Sequence, residues 1–215
     1  MATDEAATDN SPTTKIIWIA VGCVIALIVG LQQVHARNLP SAQYGKAVSL
    51  AASGRMDEAI AEMHKLAQMQ PDNELAQALL GEWLLEQNVP DGAIVPLEHA
   101  VQLEPDARAT EQNLALAYLG AGKSRQAMIE ISKAVIPDKQ LLWKQYFILG
   151  LAADEVGEIQ VASQNLRLAI QLNPSSPEAQ LALARVSAKP GEKPVAGPIP
   201  YAKLIMKSDA WPYYP

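Results

Sequence analysis

Residues 114–135 read LALAYLGAGKSRQAMIEISKAV, and the fold turns on them. An apolar run from Leu114 to Leu119 stops at Gly120-Ala121-Gly122, and a second segment resumes behind Lys123-Ser124. This is the pattern of two short helices joined by a tight turn, with glycine supplying the left-handed stop. The same punctuation occurs at Ser53-Gly54-Arg55-Met56-Asp57, where Asp57 is placed to cap the following helix, and at Gly157-Glu158. Prolines set the spacing. Gln70-Pro71-Asp72 and Glu104-Pro105-Asp106 lie 34 residues apart, and Asn173-Pro174-Ser175 follows after 69 more, close to two further periods.

Placing each proline at position 32 of a repeat aligns Ala59, Ala93, Ala127 and Ala162 at position 20, and Leu66, Ala100, Ala134 and Ala169 at position 27. Position 8 holds Ala47, Gly81, Ala115 and Gly150, and position 7 holds Leu80, Leu114 and Leu149 in the last three units against Lys46 in the first. Small residues therefore stand where two helices approach closely. With Tyr118 and Gly122 in the third unit and Gly150 and Gly157 in the fourth, the chain resembles the tetratricopeptide repeat (TPR) family over about residues 40–174. A further Leu183-Ala184 pair repeats the signature. There are departures: the first unit lacks the usual aromatic and leucine, the third ends early at Pro137, and Pro96 falls inside a second helix. That proline removes one backbone donor and is expected to kink its helix, at up to about 3 kcal/mol.

The resemblance implies an all-α, right-handed superhelix of about four helix-turn-helix repeats, at 40–73, 74–107, 108–139 and 140–174, within a domain spanning 37–188. Neither helix of a pair buries its apolar stripe alone, so neighbours must stack. Ser176-Pro177-Glu178 reads as an N-cap with proline at the first helical position, opening a capping helix over 177–188. The resemblance also implies a concave groove lined by first helices. Mapped onto this sequence, its apolar floor is Tyr44, Val48, Leu75, Leu79, Leu85, Leu116, Leu119, Phe147, Ile148 and Leu151. Glu82, Glu86, Asp154 and Glu155 supply acid, Asn113 lies among them, and Lys144 stands at one end. Such a floor suits an amphipathic helix or an extended basic peptide. For each leucine core packing is the competing reading, and for each acid an ordinary solvated helix face. The Lys/Asn/Arg clamp by which some TPR domains hold a terminal carboxylate is absent: Ala78 and Glu82 occupy the places that need Lys and Asn.

The remainder of the 215 residues bounds the function. Seventeen Lys+Arg against 23 Asp+Glu give a net charge of −6, which counts against a nucleic-acid partner. One cysteine excludes a disulfide framework and a cysteine-rich zinc site. His35, His64 and His99 are far apart in sequence, and no HExxH, phosphate-binding loop or GxSxG elbow occurs. The sequence thus offers no seat for catalysis and implies no cofactor or metal. The expectation is a protein that binds protein and is not an enzyme.

Behind a polar leader at 1–14, residues 16–31 read IIWIAVGCVIALIVGL, flanked by Lys15 and by Gln32, Gln33, His35 and Arg37. At 1.5 Å per residue the run covers about 24 Å of a roughly 30 Å hydrocarbon layer, so neighbouring residues within 15–36 must complete a membrane span. A cleaved signal peptide ending at Val34-His35-Ala36 competes, but the leader is acidic where a basic region is expected. Cys23 reads as a packed thiol. A retained bacterial inner-membrane anchor with the repeat domain extracytoplasmic is the expectation. The chain closes, over 189–215, with KPGEKPVAGPIPYAKLIMKSDAWPYYP, carrying six prolines and two clusters of anchors: Tyr201, Leu204, Ile205 and Met206, then Trp211, Tyr213 and Tyr214. Its charge is +2 against −7 for residues 41–188, so this tail is expected to bind the repeat surface or a partner. Two roles follow for the whole chain, with a small-ligand or metal-dependent protein as a remote third. One is a scaffold that stabilises a multisubunit membrane complex of respiratory or photosynthetic type, its partners being protein subunits and the bilayer. The other is a transient periplasmic chaperone or biogenesis factor for cytochrome maturation, pili or secretion.

Overall fold

Proline and the small residues at position 8 divide the middle of the chain into helical hairpins. The computed structural model describes residues 40–133, 139–188 and 204–205. Among them are nine helices and no strand: α1 (Pro40–Ala52), α2 (Met56–Met69), α3 (Glu74–Glu86), α4 (Pro90–Leu103), α5 (Arg108–Gly120), α6 (Ser124–Lys133), α7 (Lys139–Glu155), α8 (Ile159–Leu172) and α9 (Pro177–Ser187). Helices pack in consecutive pairs, and α3, α5, α7 and α9 also touch one another in sequence, forming an inner row with the even-numbered helices outside it. The described residues are thus an all-α stack of TPR type. The expected membrane segment at 15–36 lies outside the described residues; among these no helix is long and apolar enough to cross a membrane.

Each hairpin turns by the same device. Gly54, Gly122 and Gly157 have φ of 80°, 71° and 82°, and Asn88, at the equivalent place in the second pair, has φ of 58°. In all four turns the residue after the left-handed one donates back across the helix end: Arg55 N to Leu50 O, Val89 N to Leu84 O, Lys123 N to Tyr118 O and Glu158 N to Ala153 O, at 2.8 to 2.9 Å. This Schellman arrangement satisfies carbonyls that the helix end would otherwise orphan. Asparagine tolerates the left-handed region better than other non-glycine residues. Asn88→Ala is therefore expected to cost about 1 kcal/mol, and Asn88→Gly nothing, as read from the midpoint of urea unfolding; equal midpoints for the two variants would refute the strain.

Starts also repeat. Asn73 Oδ1 accepts from Ala76 N at 3.1 Å, and Ser176 Oγ accepts from Ala179 N at 3.2 Å. One turn on, Gln77 and Gln180 donate from Nε2 to the carbonyls of Pro71 and Pro174. Asp57 does not cap α2. Arg55 holds the cap position without a side-chain bond, and Asp57 sits inside the first turn, where its charge still interacts favourably with the helix dipole. Pro96 lies within α4, which continues unbroken to Leu103; the donor it lacks is the one that would reach Gly92.

Close approach explains position 8. A Cβ on Gly81 would lie 2.4 Å from Leu97 Cγ, and one on Gly150 would lie 2.7 Å from Leu166 Cγ. Ala47 and Ala115 hold the other two places, and Ala59, Ala93, Ala127 and Ala162 at position 20 are fully buried. Two apolar clusters result. The first gathers Ala47, Met63, Leu66, Leu79, Leu80 and Trp83 from α1–α3. The second runs from Leu85 and Leu97 through Leu116, Ile131, Phe147 and Leu166 to Val186. Leu84 packs against both. Polar ties join consecutive helices: Glu62 on α2 accepts from Gln43 and from Lys46 Nζ on α1, the latter at 2.8 Å. The hydrogen bond from Lys46, opposed by burial and helped by Lys65, holds the Glu62 carboxyl below the usual carboxylate range.

Candidate protein-binding surface

Burial of α3 and α5 runs around most of their circumference, unlike the single stripe of an ordinary surface helix. Most of the apolar residues expected to line a groove are consequently shut off from solvent. Val48, Leu79, Leu85, Leu116, Leu119, Phe147, Ile148 and Leu151 are all buried, while Tyr44 and Leu75 are half-buried at the edge. Phe147 also stacks on Trp143, with ring centroids 6.2 Å apart. Val48 and Leu79 join the first apolar cluster and the other six buried side chains the second, so this inner wall belongs to the core.

The four acids separate by what they touch. Glu82 is fully buried and Glu86 half-buried. Asp154 receives Arg185 of α9 through Nη2 at 2.6 Å and Nε at 3.1 Å, which ties the capping helix to α7. Glu155 accepts a hydrogen bond from Ser124 Oγ at the start of α6. Both ties span 31 residues, nearly one repeat, so the spacing of the repeat itself is the signal that leads to them. Tyr118 in turn donates to Glu98 of α4; burial, and then this bond, push its phenol well above the usual range.

Two amides mark the middle of the wall, on α5. Asn113 is buried, and Gln112, 1% exposed, has neither Nε2 nor Oε1 hydrogen-bonded among the described residues. A buried amide with no partner costs free energy, about 1–3 kcal/mol per unsatisfied group. The groove positions implied by the resemblance singled out Asn113 and passed over its neighbour.

At the far end of the wall Lys144 is half-buried, and burial lowers its pKa. Its Nζ donates to the main-chain carbonyl of Ile205 at 3.4 Å. Leu204 and Ile205 are 2% and 7% exposed and join the second apolar cluster. The other tail anchors, Tyr201, Met206, Trp211, Tyr213 and Tyr214, lie outside the described residues. On the outer face, His64 and His99 line one recess of about 350 Å³ with Gln77 and Pro96. No group of three or more His, Cys, Asp or Glu side chains fit to hold a metal occurs among the described residues.

A tetratricopeptide-repeat profile matches residues 31–74, over the unit that departs most from the family in sequence. Solved structures extend the likeness. The crystal structure of MamA protein superposes with a TM-score of 0.62 at 20% identity, over 68% of this chain and 80% of that one. MamA 41-end from Desulfovibrio magneticus RS-1 gives 0.61 at 16%, over 68% and 82%. PilW, described as a widely conserved type IV pilus biogenesis factor, gives 0.58 at 20%, over 69% of each chain. At these identities the likeness is one of fold. No curated protein matches the chain.

Proposed function

We propose that this chain, a tetratricopeptide-repeat protein, is a membrane-tethered adaptor whose inner wall holds a segment of another polypeptide and so stabilises a multisubunit membrane complex. The observation that carries this reading is the Gln112 amide, buried beside Asn113 in the wall with no hydrogen-bond partner for Nε2 or Oε1 among the described residues. A main chain laid along α5 brings N–H and C=O groups in the pairing that a primary amide satisfies. Tyr44 and Leu75, half-buried at the edge of the wall, supply apolar contact for its side chains. The uncharged run at 16–31 supports the tether. The role is recognition and not catalysis.

The test is site-specific photo-crosslinking in native membranes with the full chain. A photoreactive residue at Glu86, on the half-buried edge of the wall, is expected to capture a discrete polypeptide. The same residue at Val95, 58% exposed on the outer helix α4, is expected to capture none. Equal capture at both places would overturn the reading. Purification in mild detergent then separates the two roles: a scaffold stays with its complex one-to-one, and a biogenesis factor is recovered in less than stoichiometric amount.

A further inference from the structure

Lys144, Phe147 and Ile148 are three and four residues apart on α7 and share one face of it. Leu151 continues that face by a turn. A segment whose carbonyl receives Lys144 Nζ is therefore laid across the inner wall at Phe147 and Ile148. The segment the structure puts there belongs to the chain itself: Ile205 provides the carbonyl, and Leu204 and Ile205 are buried in the same apolar cluster as Phe147, Ile148 and Leu151. Nothing about folding the repeats requires it, since α9 already packs on α7 and α8 and is tied to Asp154.

We propose that Leu204-Ile205 is a built-in ligand of the α7 stretch of the wall, and that a polypeptide partner carrying a comparable aliphatic pair binds there only by displacing it. This rests on the inner wall being the binding surface, and it adds the chemistry of the partner and a regulation of access. The recognised feature is two adjacent branched aliphatic side chains with a main-chain carbonyl presented to Lys144. Because the occupant is in the same chain, its effective concentration is of order millimolar. The affinity available to a partner in trans is then reduced by the fraction of molecules in which the site is free.

The experiment uses the full chain in mild detergent and a labelled synthetic peptide of residues 199–209, IPYAKLIMKSD. The double variant Leu204→Asp/Ile205→Asp is expected to bind this peptide at least tenfold more tightly than the wild type. A peptide carrying the same two aspartates is expected not to bind. Equal affinity of wild type and variant, or equal binding of both peptides, would overturn the proposal, as would a variant that loses thermal stability without gaining affinity. Should the variant fail to fold, amide exchange on the wild type decides: excess peptide is expected to remove protection at Leu204 and Ile205 while leaving α4 unchanged, and unchanged protection at the pair refutes displacement. Success here with no capture from Glu86 in membranes would retain the self-ligand and reject the adaptor; capture without displacement would do the reverse.

Discussion

Gly81→Leu is expected to destabilise the repeat domain by about 3 kcal/mol, lowering its melting midpoint by roughly 10 °C for a domain of this size. The reason is geometric. The first added carbon already falls 2.4 Å from Leu97 Cγ, and Leu97 is fully buried, so it has no empty space into which to turn. Either α3 and α4 separate or Leu97 leaves its rotamer, and both disturb the pair on which the neighbouring hairpins stack. Gly150→Leu meets Leu166 Cγ at 2.7 Å and also the Ala162 carbonyl at 3.3 Å, which belongs to the backbone of α8 and cannot rotate away. Its cost is expected to be similar. Gly54→Ala serves as the contrast: open space surrounds its Cβ position, and only the φ of 80° opposes the substitution. A thermal melt of Gly81→Leu that overlays the wild type would disprove the close approach of α3 and α4.

Trp83→Ala is expected to have an effect of the same order or larger, about 4 kcal/mol. Trp83 is fully buried and is the largest side chain in the cluster formed by α1, α2 and α3. Its removal leaves a cavity that Met63, Leu66 and Leu80 can fill only in part. Trp83→Phe should cost less than half as much. It keeps an aromatic ring in the site and deletes the indole Nε1, which is buried without a hydrogen-bond partner among the described residues, so no bond is lost with it. Paired denaturant titrations of the two variants measure the difference; a phenylalanine variant as unstable as the alanine one would show that the indole nitrogen is bonded after all.

The hairpins and their register were legible because packing writes them into residue size. Only a residue without a bulky Cβ fits at Gly81 or Gly150, and only alanine recurs at Ala59, Ala93, Ala127 and Ala162, so the period emerges from sterics. Asn88 escaped notice as a turn residue because the left-handed conformation is a backbone property that glycine signals strongly and asparagine weakly. The extra length of α7, 17 residues against 13 in α1, α3 and α5, left no mark in the spacing. The inner wall was legible as a set of positions but not as a closed surface, since burial at Phe147 or Leu116 depends on what lies across from them. Asp154 and Glu155 read as a shared acidic patch because adjacent residues are judged together. Their partners, Arg185 and Ser124, approach from opposite neighbours in the stack. The pair Leu204-Ile205 stood out against a proline-rich background for the same reason that it is buried: long aliphatic side chains gain nothing from water.

Leu84 touches both apolar clusters, and this has a mechanical meaning. In a linear array each unit feels only its neighbours, so any strain or loosening at α1 and α2 reaches the C-terminal half through whatever spans the junction. Among the described residues Leu84 is the side chain common to both clusters, and the packing of α3 on α4, with Leu97 against Gly81, backs it. A shave to alanine at that junction would loosen the coupling between the two halves, so that their openings become more independent.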